Sequence, residues 1–167
     1  DLTTFGKIIG AGMPVGAYGG RREIMEMVSP VGAVYQAGTL SGNPVAMAAG
    51  IAQLTYLKEH PDVYTKLNET ADSFFAELQK IVDESGRGYQ VNHICSLGSM
   101  FCTTQEVYDY ETAKTSDTKA YADYCNYMQN HGIYLAPAQF EAMFISDAHT
   151  EEDIRKTIDV MKEFAHR

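Results

Sequence analysis

Lys7 lies in a setting that could do chemistry. Gly6 precedes it, and Gly10 and Gly12 follow in the stretch Gly6-Lys7-Ile8-Ile9-Gly10-Ala11-Gly12. Glycines on both sides remove side-chain bulk, so a flat ligand can come close to the backbone that carries the amine. Further on, Gly38-Thr39-Leu40-Ser41-Gly42-Asn43-Pro44 joins a hydroxyl to small residues just before a helix start. Backbone N–H groups and a threonine hydroxyl are the usual means of holding a phosphate. Alone, Lys7 reads as a solvated lysine and Gly38–Gly42 as a plain turn. Together, an amine and a phosphate cradle suggest pyridoxal 5'-phosphate (PLP).

Other nucleotide-binding patterns fit less well. In Gly10-Ala11-Gly12-Met13-Pro14-Val15-Gly16 the third glycine comes one place too late for a dinucleotide fingerprint, and Pro14 interrupts it. Gly6-Lys7-Ile8 lacks the hydroxyl residue of a P-loop.

The elements that must position these residues follow from periodicity and punctuation. Residues 1–22 read as two short strands, with Ile8-Ile9 in the first, Val15–Tyr18 in the second and a turn at Gly12–Pro14. Residues 21–27 read as a short helix or turn. Asn43 can cap free N–H groups and Pro44 suits a first helical position, so a helix is expected from there to Glu59, before His60-Pro61. A second is expected from Asp62 to Ser85, with Leu67, Ala71, Phe74, Phe75, Leu78, Ile81 and Val82 at helical spacing and Gly86 as its stop. Strands are expected at 89–94, 100–103, 133–135 and 143–146. A third helix opens at Ser116 and presents Tyr121, Tyr124, Cys125 and Met128. Thr150–Asp153 resembles a capping box for a last helix with Ile154, Ile158 and Met161 facing inward.

The 167 residues are 45% hydrophobic and 21% charged, as in soluble globular proteins. A net charge of -9 with no basic stretch argues against nucleic acid and anionic membranes as partners. No apolar run reaches membrane-spanning length. Cys95, Cys102 and Cys125, with five scattered histidines, match neither a zinc nor a disulfide pattern, so no metal is expected and a reducing, cytosol-like compartment is. Asn68-Glu69-Thr70 matches a glycosylation sequon but falls inside a helical pattern. The chain opens on Asp1 rather than Met, which suggests a piece of something longer.

The string from Asp1 to Arg21 resembles the lysine segment of the class III aminotransferases, fold-type I PLP enzymes, and within them the glutamate-1-semialdehyde aminomutase family. Gly38–Gly50 resembles the same family's phosphate segment. Tyr110–Thr118, Gly132–Ala142 and Ala148–Ile154 are similar to segments of its small domain. The resemblance implies an α/β chain with an α+β small domain, the C-terminal part of a fold-type I transferase. Residues 1–43 would end the large PLP-binding domain, 44–61 would be a linking helix, and 62–167 would form the small domain.

By the same resemblance Lys7 is the Schiff-base lysine and the proton shuttle. Gly38 and Thr39 bind the PLP phosphate, Thr39 serving the partner subunit of a homodimer. Glu141 lies near the mouth of the site as a substrate or gating residue, where many related enzymes place an arginine; its plain reading is a solvated loop acid. Tyr35 and Tyr134 are expected to be packing residues. The implied reaction is an internal amine transfer that turns glutamate-1-semialdehyde into 5-aminolevulinate for tetrapyrrole (porphyrin) synthesis, with a pyridoxamine phosphate form in the cycle. The expected compartment is the bacterial cytoplasm, or the plastid stroma of a plant.

The family's acidic partner of the pyridine nitrogen, its glycine-rich phosphate turn, its ring-stacking aromatic and its lid would all precede the lysine. Little or no activity is therefore expected of the 167 residues alone. The competing readings are another class III ω-amino-acid transaminase and a non-catalytic folded fragment.

Overall fold

The computed structural model describes all 167 residues. The chain divides into two compact units, Asp1–Pro61 and Asp62–Arg167.

In the first unit, β1 (Leu2–Gly6) pairs antiparallel with β2 (Gly16–Gly20), in a register that sets Phe5 opposite Ala17 and Gly6 opposite Gly16. Between them the chain winds through a single 3-10 turn, Lys7–Gly10, which ends on Ala11 in the left-handed region at φ 50°. The expected strand at Ile8-Ile9 is therefore corrected: the strand lies one segment earlier, and the two isoleucines belong to the turn. A two-residue apolar run has no period, so it fits either structure. The four-residue helix α1 (Arg22–Met25) follows.

Helix α2 (Pro44–Glu59) begins as its sequence demands. The Asn43 carboxamide oxygen accepts from Val45 N at 3.0 Å and Ala46 N at 3.1 Å, and Pro44 takes the first turn. Only Ala46 and Gly50 of this helix are buried. Gly50 faces the 3-10 turn, and a Cβ there would stand 2.8 Å from the Ile9 carbonyl oxygen.

The second unit has its own core. Helix α3 (Asp62–Ser85) buries Ala71, Phe74, Phe75, Leu78, Ile81 and Val82, the face its spacing predicts. A three-stranded antiparallel sheet runs in the order β3 (Gln90–Ile94), β4 (Leu97–Phe101), β5 (Met143–Phe144). Gly98 of β4 lies directly under the Phe75 ring, where any Cβ would overlap it. Helix α5 (Thr118–Asn130) buries Tyr121, Tyr124 and Met128, and α6 (Glu151–Ala165) buries Ile158, Val160 and Met161. Both hydrogen bonds of the capping box at the start of the last helix form: Thr150 Oγ1 accepts from Asp153 N, and the Asp153 carboxylate accepts from Thr150 N at 2.8 Å.

Several boundaries differ from expectation. The second strand starts at Leu97 rather than Met100, because the chain reverses at Cys95, which takes φ 49° without glycine or asparagine to announce the turn. Asp117 rather than Ser116 caps α5, its carboxylate accepting from Lys119 N and Ala120 N. Residues 133–135 form no strand. A further one-turn helix, α4 (Tyr110–Ala113), is held by an Asp109–Thr112 capping box. No helix is long and apolar enough to cross a membrane.

Candidate active site

Lys7 is exposed and lies at φ 51°, in the left-handed region. Non-glycine residues rarely adopt that conformation, and where they do it often marks a functional constraint. Gly6, just before it, is fully extended, so the backbone turns sharply at the lysine as β1 gives way to the 3-10 turn. Packing of Ile9 against Gly50 supports that turn from α2. The result is an amine held at the end of a strand by a backbone that two elements fix.

Gly38 and Thr39 are exposed and open a tight turn in which Ser41 N donates to Gly38 O at 2.9 Å. A second turn follows, with Asn43 N donating to Leu40 O at 3.2 Å and Gly42 at φ 70°. The backbone N–H groups of Thr39 and Leu40 donate to no backbone acceptor. The first N–H groups of α2, by contrast, are taken by the Asn43 cap. The free donors available for an anion are therefore those of the Thr39 turn, not those of the helix end.

These residues fit PLP by the chemistry of the donor set. An accessible primary amine can bond an aldehyde carbon, and a turn with free N–H groups and a hydroxyl can receive a phosphate.

Glu141 belongs to the second unit and is exposed. It closes a turn in which its N–H donates to Ala138 O at 3.1 Å. Lys7, Gly38 and Thr39 belong to the first unit and Glu141 to the second. Tyr35 and Tyr134, expected to pack, are 81% and 82% exposed. Aromatic residue type alone did not reveal this.

Gln139 was missed by sequence reasoning. It is only 3% exposed, and its carboxamide is engaged on both sides: Oε1 accepts from Cys102 N at 3.1 Å and Nε2 donates to Met100 O at 2.8 Å. A lone glutamine in a loop carries no sequence signal for such a role.

The cysteines offer no competing nucleophile in the interior. Burial, and then the nearby Asp117 carboxylate, push the Cys102 thiol up to about 12, and burial also raises Cys125. No group of three or more histidine, cysteine or carboxylate side chains is placed to hold a metal.

With this geometry in place, the chain can be assigned to a class. The family model for class III aminotransferases matches residues 1–164, and the chain belongs to that family. It is 64% identical over 164 residues to glutamate-1-semialdehyde 2,1-aminomutase 1 of Lachnoclostridium phytofermentans, covering 98% of this chain and 38% of that relative. Among solved structures it is similar to a β-phenylalanine aminotransferase from Variovorax paradoxus, with TM-score 0.90 and 30% identity, covering 99% of this chain and 38% of that one. A transaminase with PLP bound matches with TM-score 0.84 and 26% identity over 99% of this chain and 38% of the other. The chain thus spans well under half the length of these relatives, and its fold is that of the corresponding part of the fold-type I transaminases.

Proposed function

We propose that the protein carrying this chain is a PLP-dependent glutamate-1-semialdehyde aminomutase, an isomerase that produces 5-aminolevulinate for tetrapyrrole synthesis. The observation that carries this reading is the 64% identity to an aminomutase across 98% of the chain. Identity to the structurally similar β-phenylalanine aminotransferase is less than half as high, which favours the aminomutase over an ω-amino-acid transaminase.

When bound, PLP supplies an aldehyde that captures amines and a conjugated ring that draws electrons from the carbon being deprotonated. Lys7 holds the cofactor through its Nζ. When free, that nitrogen would serve as the acid–base group that carries the proton between the cofactor and the substrate carbons. Its position at a fixed backbone turn limits the arc through which it would swing, and so supports transfer between cofactor and substrate carbons. The Thr39 hydroxyl and the free N–H groups at Thr39 and Leu40 bind the phosphate, in a homodimer that of the partner subunit. Glu141 contributes a negative charge on the substrate side, which favours an amine over a second carboxylate. A bacterial cytoplasmic enzyme, or a plastid one in a plant, fits the free cysteines.

The test is direct. The purified intact protein, loaded with PLP or pyridoxamine phosphate, is given glutamate-1-semialdehyde with no other amino donor or acceptor. Formation of 5-aminolevulinate is expected. Turnover that requires a separate amino donor would replace this reading with an intermolecular transaminase.

A further inference from the structure

We propose that Gln139 is a positioning residue for Glu141, holding the turn that presents Glu141 by standing in for a missing stretch of β-strand. The inference rests on the reading of Glu141 as a substrate-side group.

The argument begins at the edge of β4. In an antiparallel ladder, alternate residues turn their backbone groups to the same neighbour. Ser96 and Gly98 face β5: Ile145 N donates to Ser96 O at 2.9 Å, and Gly98 pairs with Met143. Met100 and Cys102 continue that edge. Strand β5 is only two residues long and pairs with neither; Cys102 O accepts from Asp117 N at 2.9 Å, but Met100 O and Cys102 N have no backbone partner on that side. The Gln139 carboxamide takes that place, giving an N–H to Met100 O and taking one from Cys102 N as a peptide group would.

This substitution of a side chain for a backbone rung frees the chain before Met143 to leave the sheet. It leaves as the Ala138–Glu141 turn, with Gln139 buried and Phe140 and Glu141 exposed on either side of its closing hydrogen bond. The approach to the turn is fixed separately at Ala136, whose carbonyl accepts from Tyr121 Oη at 3.0 Å. At the end of the turn, Ser99 Oγ donates to Glu141 O at 3.4 Å. Of these anchors, Gln139 alone is a side chain of the turn itself, and it makes two hydrogen bonds where Ser99 makes one long one. Exposed Glu141 has no side-chain hydrogen bond or ion pair of its own to set its direction, so its aim is inherited from the turn backbone.

The experiment uses the intact protein and Gln139→Met, which keeps the length and removes both hydrogen bonds. Hydrogen–deuterium exchange is read at the Cys102 and Glu141 amides. Both are expected to lose protection in the variant; an unchanged Glu141 amide would overturn the proposal. With the amino-aldehyde as substrate, KM is expected to rise about 10-fold with kcat held within about twofold, the pattern of lost ground-state positioning. In a Glu141→Ala background, adding Gln139→Met should change KM by less than about twofold, because residues acting through one another are not additive. Independent, multiplying effects would also overturn it. Absence of aminomutase turnover would refute the proposed function and leave the exchange result as the test of the clamp. Should Gln139→Met fail to fold, Gln139→Asn, whose shorter arm cannot span both partners, gives the same readouts.

Discussion

Gly50 of α2 lies against the carbonyl oxygen of Ile9, two residues after Lys7, so closely that a Cβ at position 50 would stand 2.8 Å from that oxygen. The helix and the lysine turn are thereby fitted to each other through backbone, not through long side chains.

Gly50→Ala should therefore reverse an ordinary expectation. In a helix interior this change stabilises by about 1 kcal/mol through propensity. Here the methyl group must push the turn away, and overpacking of this kind costs about 1–3 kcal/mol. Chemical denaturation of the intact protein is expected to show a net loss of stability, together with weaker PLP binding. A gain in stability would mean that the contact is loose.

Gly98→Ala makes the corresponding test of the second unit. The added methyl would occupy the space of the Phe75 ring, which is 1% exposed and stacks on His93 with ring centroids 4.9 Å apart. A loss of about 1–3 kcal/mol is expected from unfolding curves. Phe75→Ala in the same protein should cost about 3–5 kcal/mol by opening a cavity.

Acid sensitivity should come partly from two caps. Hydrogen bonds from the Thr112 backbone and then its side chain lower the Asp109 carboxyl, and those from the Thr150 side chain and then its backbone lower Asp153. A carboxyl lowered in the folded state binds protons more readily when unfolded. Its stabilisation is thus complete above the unfolded value of about 4 and is lost as pH falls through the lower folded value. Asp153→Asn and Asp109→Asn should each flatten the acid limb of the stability profile and leave its slope near neutrality unchanged. An acid limb as steep as that of the parent would contradict this.

Thiol labelling should sort the three cysteines by burial. Cys95 is exposed, whereas Cys102 is buried and Cys125 partly so. An aromatic disulfide reagent at mildly alkaline pH is expected to modify Cys95 first, and Cys95→Ser should abolish the fast phase. Rapid labelling of Cys102 in the native protein would show that the core around it opens.

What the sequence made legible has a physical pattern. Helices α3 and α6 could be read because each carries a period and a chemical start or stop, Pro61 and Gly86 for one and Thr150 with Asp153 for the other. Helix α2 has no apolar period and was legible from its Asn43-Pro44 start, its His60-Pro61 stop and its Ala-, Leu- and Met-rich composition. Lys7 and the Thr39 turn could be singled out by glycine spacing and by resemblance. The left-handed backbone at Lys7 could not, since it arises from the join between β1 and the 3-10 turn. The hairpin reversal at Cys95 lacked turn residues, which displaced the reading of β4. Helix α4 is too short to show a period. Gln139 was hidden because its role depends on an edge of β4 some forty residues earlier, as its hydrogen bonds to Met100 and Cys102 show.

The most direct test of the central claim is to reduce the PLP-loaded intact protein with borohydride and map the modified peptide by mass spectrometry. The account predicts one phosphopyridoxyl group on Lys7, and none after Lys7→Ala. A group fixed on another lysine, or bound PLP that leaves Lys7 unmodified, would contradict it.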